Sequence, residues 1–141
     1  MVFQDPFILD LLGHLGGAGG AEEVVELFLR MWVDGPRRAP DAVDPQVREL
    51  CRDLMMDNVL KHGAAVRQFV TEIGAIDRVA ELRAPTLLLV GDLDSSDIHG
   101  VVDLVAAGAP RARKVVVPGA AHVVNLDRPE DFDREVSAFL S

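Results

Sequence analysis

The sequence predicts an α/β fold in which a run of helices precedes a βαβα unit with two parallel strands. Three observations carry that expectation. The first half shows helical periodicity with no strand-like run. The second half holds two short, largely apolar runs, residues 86–90 and 114–117, and each is closed by glycine or Pro-Gly. One helix-length amphipathic segment separates them. Short apolar runs bounded by turn residues read as strands buried on both faces, and an intervening helix makes such strands parallel.

The bulk properties are those of a globular chain. With 141 residues and 49% apolar content, it can build one modest core and is too apolar for disorder. Acids outnumber bases 23 to 14, for a net charge of -9, which repels phosphate backbones and predicts no nucleic-acid partner. No basic run suits a membrane surface, and no apolar run approaches the roughly 20 residues that span a bilayer. Cys51 is the only cysteine, so no intrachain disulfide and no cysteine zinc site can form. The first residues lack a basic leader and meet an acid at Asp5. Together these predict a cytoplasmic protein with no membrane partner, metal or cofactor.

Residues 13–21, G-H-L-G-G-A-G-G-A, lack a preceding strand and the spacing of a phosphate-binding loop, so they read as a turn before a helix. Over residues 21–33, Val24, Leu27, Phe28, Met31 and Trp32 form the stripe of an amphipathic helix that ends at Asp34-Gly35-Pro36. Asp44 then reads as an N-cap with Pro45 at the first helical position. That second helix places Val47, Leu50, Cys51, Leu54, Met55 and Val59 on one face and stops at Gly63. A third carries Val66, Phe69, Val70 and Ile73 and stops at Gly74. After the first strand and a polar loop, residues 98–107 form a helix with Ile98, Val101, Leu104 and Val105 inward. The second strand and a loop follow. A last helix starts near Pro129, with Phe132, Val136, Phe139 and Leu140 on one face.

Chemistry concentrates in the two loops that follow the strands, residues 91–97 and 118–122. Parallel strands bring both loops to one sheet edge, where open α/β sheets bind ligands. An acid from the first loop (Asp92, Asp94 or Asp97) can therefore meet His122 from the second. Imidazole titrates near neutral pH and suits general acid–base work, and a buried carboxylate fixes its tautomer. Among the other histidines, His14 falls in the glycine-rich turn, His62 suits a helix C-terminus, and His99 opens the helix after the acid loop; each reads as structural or exposed. Asp92, Asp94 and Ser96 begin like a calcium loop, but Asp97 stands where glycine is needed and Asp103 where glutamate is. The strand followed by D-x-D is similar to an aspartyl-phosphatase start, but Gly91 intrudes, and these enzymes carry that strand near the chain start.

A-P-T-L-L-L-V-G-D-L-D (residues 84–94), one helix, V-V-V-P-G-A-A-H (residues 115–122) and a helix opening R-P-E resemble the C-terminal part of α/β-hydrolases. L-F-L-R-M-W-V-D-G-P (residues 27–36) is similar to the helical cap of enol-lactonase-like members. The resemblance implies a truncated α/β-hydrolase fold: residues 1–20 as an N-terminal segment, 21–75 as a cap-like segment, 76–141 as a core remnant. The G-x-x-D of Gly91 and Asp94 implies that Asp94 is the catalytic acid, and the G-x-x-H of Gly119 and His122 that His122 is the catalytic base. The implied activity is hydrolysis of a carboxylic ester or enol-lactone as small-molecule substrate.

The chain departs from that family in lacking the nucleophile motif, the first six strands and the oxyanion hole. It contains no G-x-S-x-G, and its serines are Ser95, Ser96, Ser137 and Ser141, none on a strand-to-helix elbow. Cys51 falls on an apolar helix stripe and reads as core. The chain alone is expected to be inactive, with a homo-oligomer or a second chain completing its sheet. The alternative from a different class is an inactive binding or assembly domain on a hydrolase scaffold.

Overall fold

The computed structural model describes residues 3–63 and 73–141. The helix predicted over residues 66–74 falls mostly outside them. The chain divides into two compact units, Met1–Thr71 and Glu72–Ser141.

The N-terminal unit is helical. Helix α1, Pro6–Leu15, opens on Asp5, whose carboxylate accepts from the Phe7 N–H at 3.0 Å, with Pro6 in the first turn. This corrects the sequence expectation: His14 is in the last turn of a helix, and Ile8 of this segment is fully buried. Helix α2, Ala21–Phe28, continues directly into a π-helical turn, Leu29–Asp34. The wider turn is marked by the Gly35 N–H donating to Arg30 C=O. The core side of this stretch is Val25, Leu29, Met31 and Val33. Of the predicted stripe only Met31 is buried; Val24, Leu27, Phe28 and Trp32 are half-buried, and the buried line runs one position further on, at Val25 and Leu29.

Helix α3, Pro45–His62, has the predicted caps: Asp44 accepts from the Gln46 N–H at 2.8 Å, and Gly63 ends it at φ +48°. Its inward face is rotated from the one predicted. Val47, Cys51, Met55 and Val59 are half-buried, but Leu50 and Leu54 are exposed. The cause is a row of arginines. Arg48 donates to Asp34 Oδ1 at 3.0 Å and to Glu26 Oε1 at 2.5 Å, and Arg52 donates to Glu26 Oε2 at 2.6 Å. Those bonds turn α3 so that arginines, not leucines, meet α2. Arg30 also reaches Asp34 at 3.0 Å, and Arg38 donates to the carbonyls of Val33 and Asp34, covering the end of the π turn. Asp34 is wholly buried. Its hydrogen bonds raise the Arg48 guanidinium further above its ordinary value. Burial works against ionising Glu26, but Arg48 and Arg52 outweigh it and hold its carboxyl below the usual range. That contribution is present at neutral pH and is lost as pH falls through the lowered value.

The C-terminal unit begins with a 3₁₀ helix, Ala75–Glu81, and then alternates: β1 (Thr86–Gly91), α4 (Ser96–Gly108), β2 (Ala112–Val117), a short α5 (Val124–Asp127) and α6 (Pro129–Leu140). The strands pair in parallel, with Thr86 opposite Ala112, Leu89 opposite Val115 and Gly91 opposite Val117. Val117, Ala120 and Val124 form the buried cluster on one side, packed by Leu89, Val115 and Phe132. Helix α4 packs on both strands. The strands were expected to be buried on both faces. Thr86 to Leu89 are half-buried and Val116 is exposed, because among the described residues the sheet has two strands and β1 pairs only with β2. Leu104 and Leu140, expected inward, are exposed. No described helix is long and apolar enough to cross a membrane.

Candidate functional site

Parallel pairing ends both strands at the same edge, and the loops that leave there are joined at several points. The Asp92 N–H donates to Val117 C=O at 3.1 Å, and the Leu93 N–H to Ala120 C=O at 2.9 Å. Side chains add one more link between the loops and one bond that ties the second loop to α5. Asp92 Oδ1 accepts from the Gly119 N–H at 2.7 Å, and Asp127 Oδ2 accepts from the Ala121 N–H at 2.8 Å. The loops lie so close that a Cβ on Gly91 would sit 2.1 Å from Ala120 O, a backbone atom that cannot swing aside. Gly91 is glycine for that reason. Gly119 needs its own freedom, with φ at +74°.

This joined pair of loops brings Asp94 to His122. His122 Nδ1 lies 2.8 Å from Asp94 Oδ2. Asp94 Oδ1 accepts from the Ser95 N–H at 2.7 Å, and the residue is 2% exposed. Each carboxylate oxygen therefore has a partner, as a buried charge requires. An ionised carboxylate only accepts, so against an ionised Asp94 it is Nδ1 that would donate. The imidazole side chain is 43% exposed while its acid is buried. The ring thus reaches the surface while the carboxylate that contacts it lies beneath.

The rival acids stand elsewhere. Asp92 is taken up with the Gly119 N–H. Asp97 is in the first turn of α4, which Ser95 caps by accepting from the Ile98 N–H at 3.4 Å. His99 lies in the same helix, and its Nε2 is shielded from solvent with no hydrogen-bond partner among the described residues. His62 closes α3, as expected. Cys51 is half-buried on α3. Ser95 is fully buried, and Ser137 and Ser141 lie at the end of the chain in and after α6. Asp127 was missed by the sequence expectation; its only sequence signal is its place just ahead of R-P.

No family model matches the chain. A putative carbamate hydrolase from Rhizobium rhizogenes, RutD, is 37% identical over 84 residues, which cover 59% of this chain and 30% of that protein. The structure of MenH from S. aureus superposes with a TM-score of 0.66 at 16% identity, covering 99% of this chain and 54% of that one. The structure of a thermophilic esterase superposes with a TM-score of 0.65 at 24% identity, covering 93% and 49%. The chain thus spans about half the length of the solved structures it matches and under a third of the curated relative. Those neighbours are α/β-hydrolase folds, and this chain has the fold of their C-terminal portion.

Proposed function

We propose that the chain supplies the acid and the base of a nucleophilic hydrolase, and that it acts on a carboxylic ester or enol-lactone. The single observation behind this is the Asp94–His122 contact at 2.8 Å, with the acid buried and the base half-exposed at the strand ends. A nucleophile outside these 141 residues would give its proton to His122 Nε2. It would attack the substrate carbonyl, and His122 would then return the proton to the leaving group. Asp94 would hold the Nδ1–H tautomer and stabilise the imidazolium. Similarity to a putative carbamate hydrolase and to an esterase supports carbonyl chemistry of this class.

Two preparations test the proposal. The purified 141-residue chain should turn over p-nitrophenyl esters no faster than its own His122→Ala variant. An oxyanion donor alone is worth a hundredfold or more, roughly, and free imidazole offers nothing comparable. The chain tagged at its own locus and purified from its native host should carry ester or lactone hydrolysis that His122→Ala abolishes. Saturable, His122-dependent turnover by the purified chain would place a nucleophile inside it. A native preparation inert on esters, lactones and carbamates would favour the inactive assembly domain.

The same proposal makes an assembly prediction. Two strands are too few to stand as an independent sheet, and the outer edge of β1 is a half-buried apolar template for another strand. In isolation the simplest cover is a second copy related by two-fold symmetry. Light scattering at micromolar concentration should give a dimer mass, and a clean monomer would count heavily against that cover.

A further inference from the structure

We propose that Asp127 and Asp92 are positioning residues, whose carboxylates hold the backbone on either side of Ala120 so that His122 meets Asp94. The inference rests on the proposed acid–base pair and extends it to two side chains bonded to the backbone of the histidine loop.

Residues 118–122 belong to no helix or strand, so nothing in the ladder of either element fixes them. They are nevertheless pinned at three successive residues. The Gly119 N–H goes to Asp92, the Ala120 carbonyl takes the Leu93 N–H, and the Ala121 N–H goes to Asp127. Ala120 and Ala121 are 0% exposed. An N–H buried there needs an acceptor from the protein, and an ionised carboxylate is the strongest available. Asp127 is itself fixed, because its own N–H donates to Val123 C=O within α5. Its bond is on the residue directly before His122. It therefore sets the peptide from which the imidazole projects, while Asp92 sets the start of the same loop.

The function in each case is to accept a hydrogen bond, not to supply charge to the imidazole. Asp127→Asn keeps an acceptor oxygen and loses the charge; Asp127→Ala loses both. Long-range ¹H–¹⁵N spectra of the 141-residue chain report which ring nitrogen of His122 is protonated, and they need no nucleophile. The wild type should show a protonated Nδ1 with a downfield proton. Asp127→Ala should lose that signal and move to the Nε2–H form of a free imidazole, with far-UV circular dichroism unchanged. Asp127→Asn should keep the wild-type signal. If Asp127→Ala does not fold, the Asn variant still decides, because loss of the signal there would show that charge was the contribution. An intact Nδ1–H signal in a folded Asp127→Ala chain would overturn the positioning role alone. Absence of the signal from the wild type would overturn the Asp94–His122 pair beneath it.

Discussion

Asp94→Asn should lower ester turnover by the native preparation about 10³–10⁴-fold, with little change in KM. The reason is tautomeric. The wild-type carboxylate can only accept, so it selects the imidazole with its proton on Nδ1 and leaves Nε2 basic. An asparagine amide can instead donate to Nδ1, which favours the Nε2–H form. That form has no lone pair to take the nucleophile's proton. The fold should survive, because Asn is nearly isosteric and can still accept from the Ser95 N–H. Asp92→Asn should cost far less, since it keeps an acceptor for the Gly119 N–H. Steady-state kinetics of the two variants decide the matter. Equal losses, or a loss below about tenfold for Asp94→Asn, would remove Asp94 from the acid's place.

The parts of this site that sequence could reveal are the parts set by short-range rules. An apolar run ended by glycine marks a strand end, and two such runs joined by a helix place their exit loops together. That was sufficient to bring an acid of the first loop to His122, whereas the choice of Asp94 over Asp92 and Asp97 came from the resemblance to α/β-hydrolases. The clamps at Asp92 and Asp127 are different: each meets a backbone N–H whose position depends on how two loops approach, and no local pattern encodes it. Helix α1 was legible in principle. Asp5-Pro6 carries the same cap chemistry as Asp44-Pro45, but the glycines that follow residue 12 obscure the helical pattern after it. The rotated faces of α2 and α3 were not legible. Apolar periodicity assigns every leucine inward, whereas in α3 a set of ion pairs turns arginines, not leucines, toward α2.

Removing the centre of those ion pairs should be among the most damaging changes in the N-terminal unit: Asp34→Ala is expected to cost about 3 kcal/mol. Asp34 is 0% exposed and receives Arg30 and Arg48, whose side chains are 25% and 16% exposed. Without it, two largely desolvated guanidiniums lose their shared carboxylate. Arg48 still has Glu26, which keeps the cost toward the lower end of what a broken buried pair entails. Glu26 itself offers the control. Its side chain is 43% exposed, so solvent screens its pairs with Arg48 and Arg52. Glu26→Gln should cost about 0.5 kcal/mol, the worth of a screened surface pair. Trp32, the only tryptophan, lies in the π turn of this unit, so urea titration followed by its fluorescence reports on the unfolding of this unit. The Asp34→Ala midpoint should fall far below both wild type and Glu26→Gln. If the two variants fall equally, the network's strength lies at its exposed rim and not in the buried aspartate. In that case the rotation of α3 would need another cause, since a weak bond at Asp34 could not hold Leu50 and Leu54 out in water.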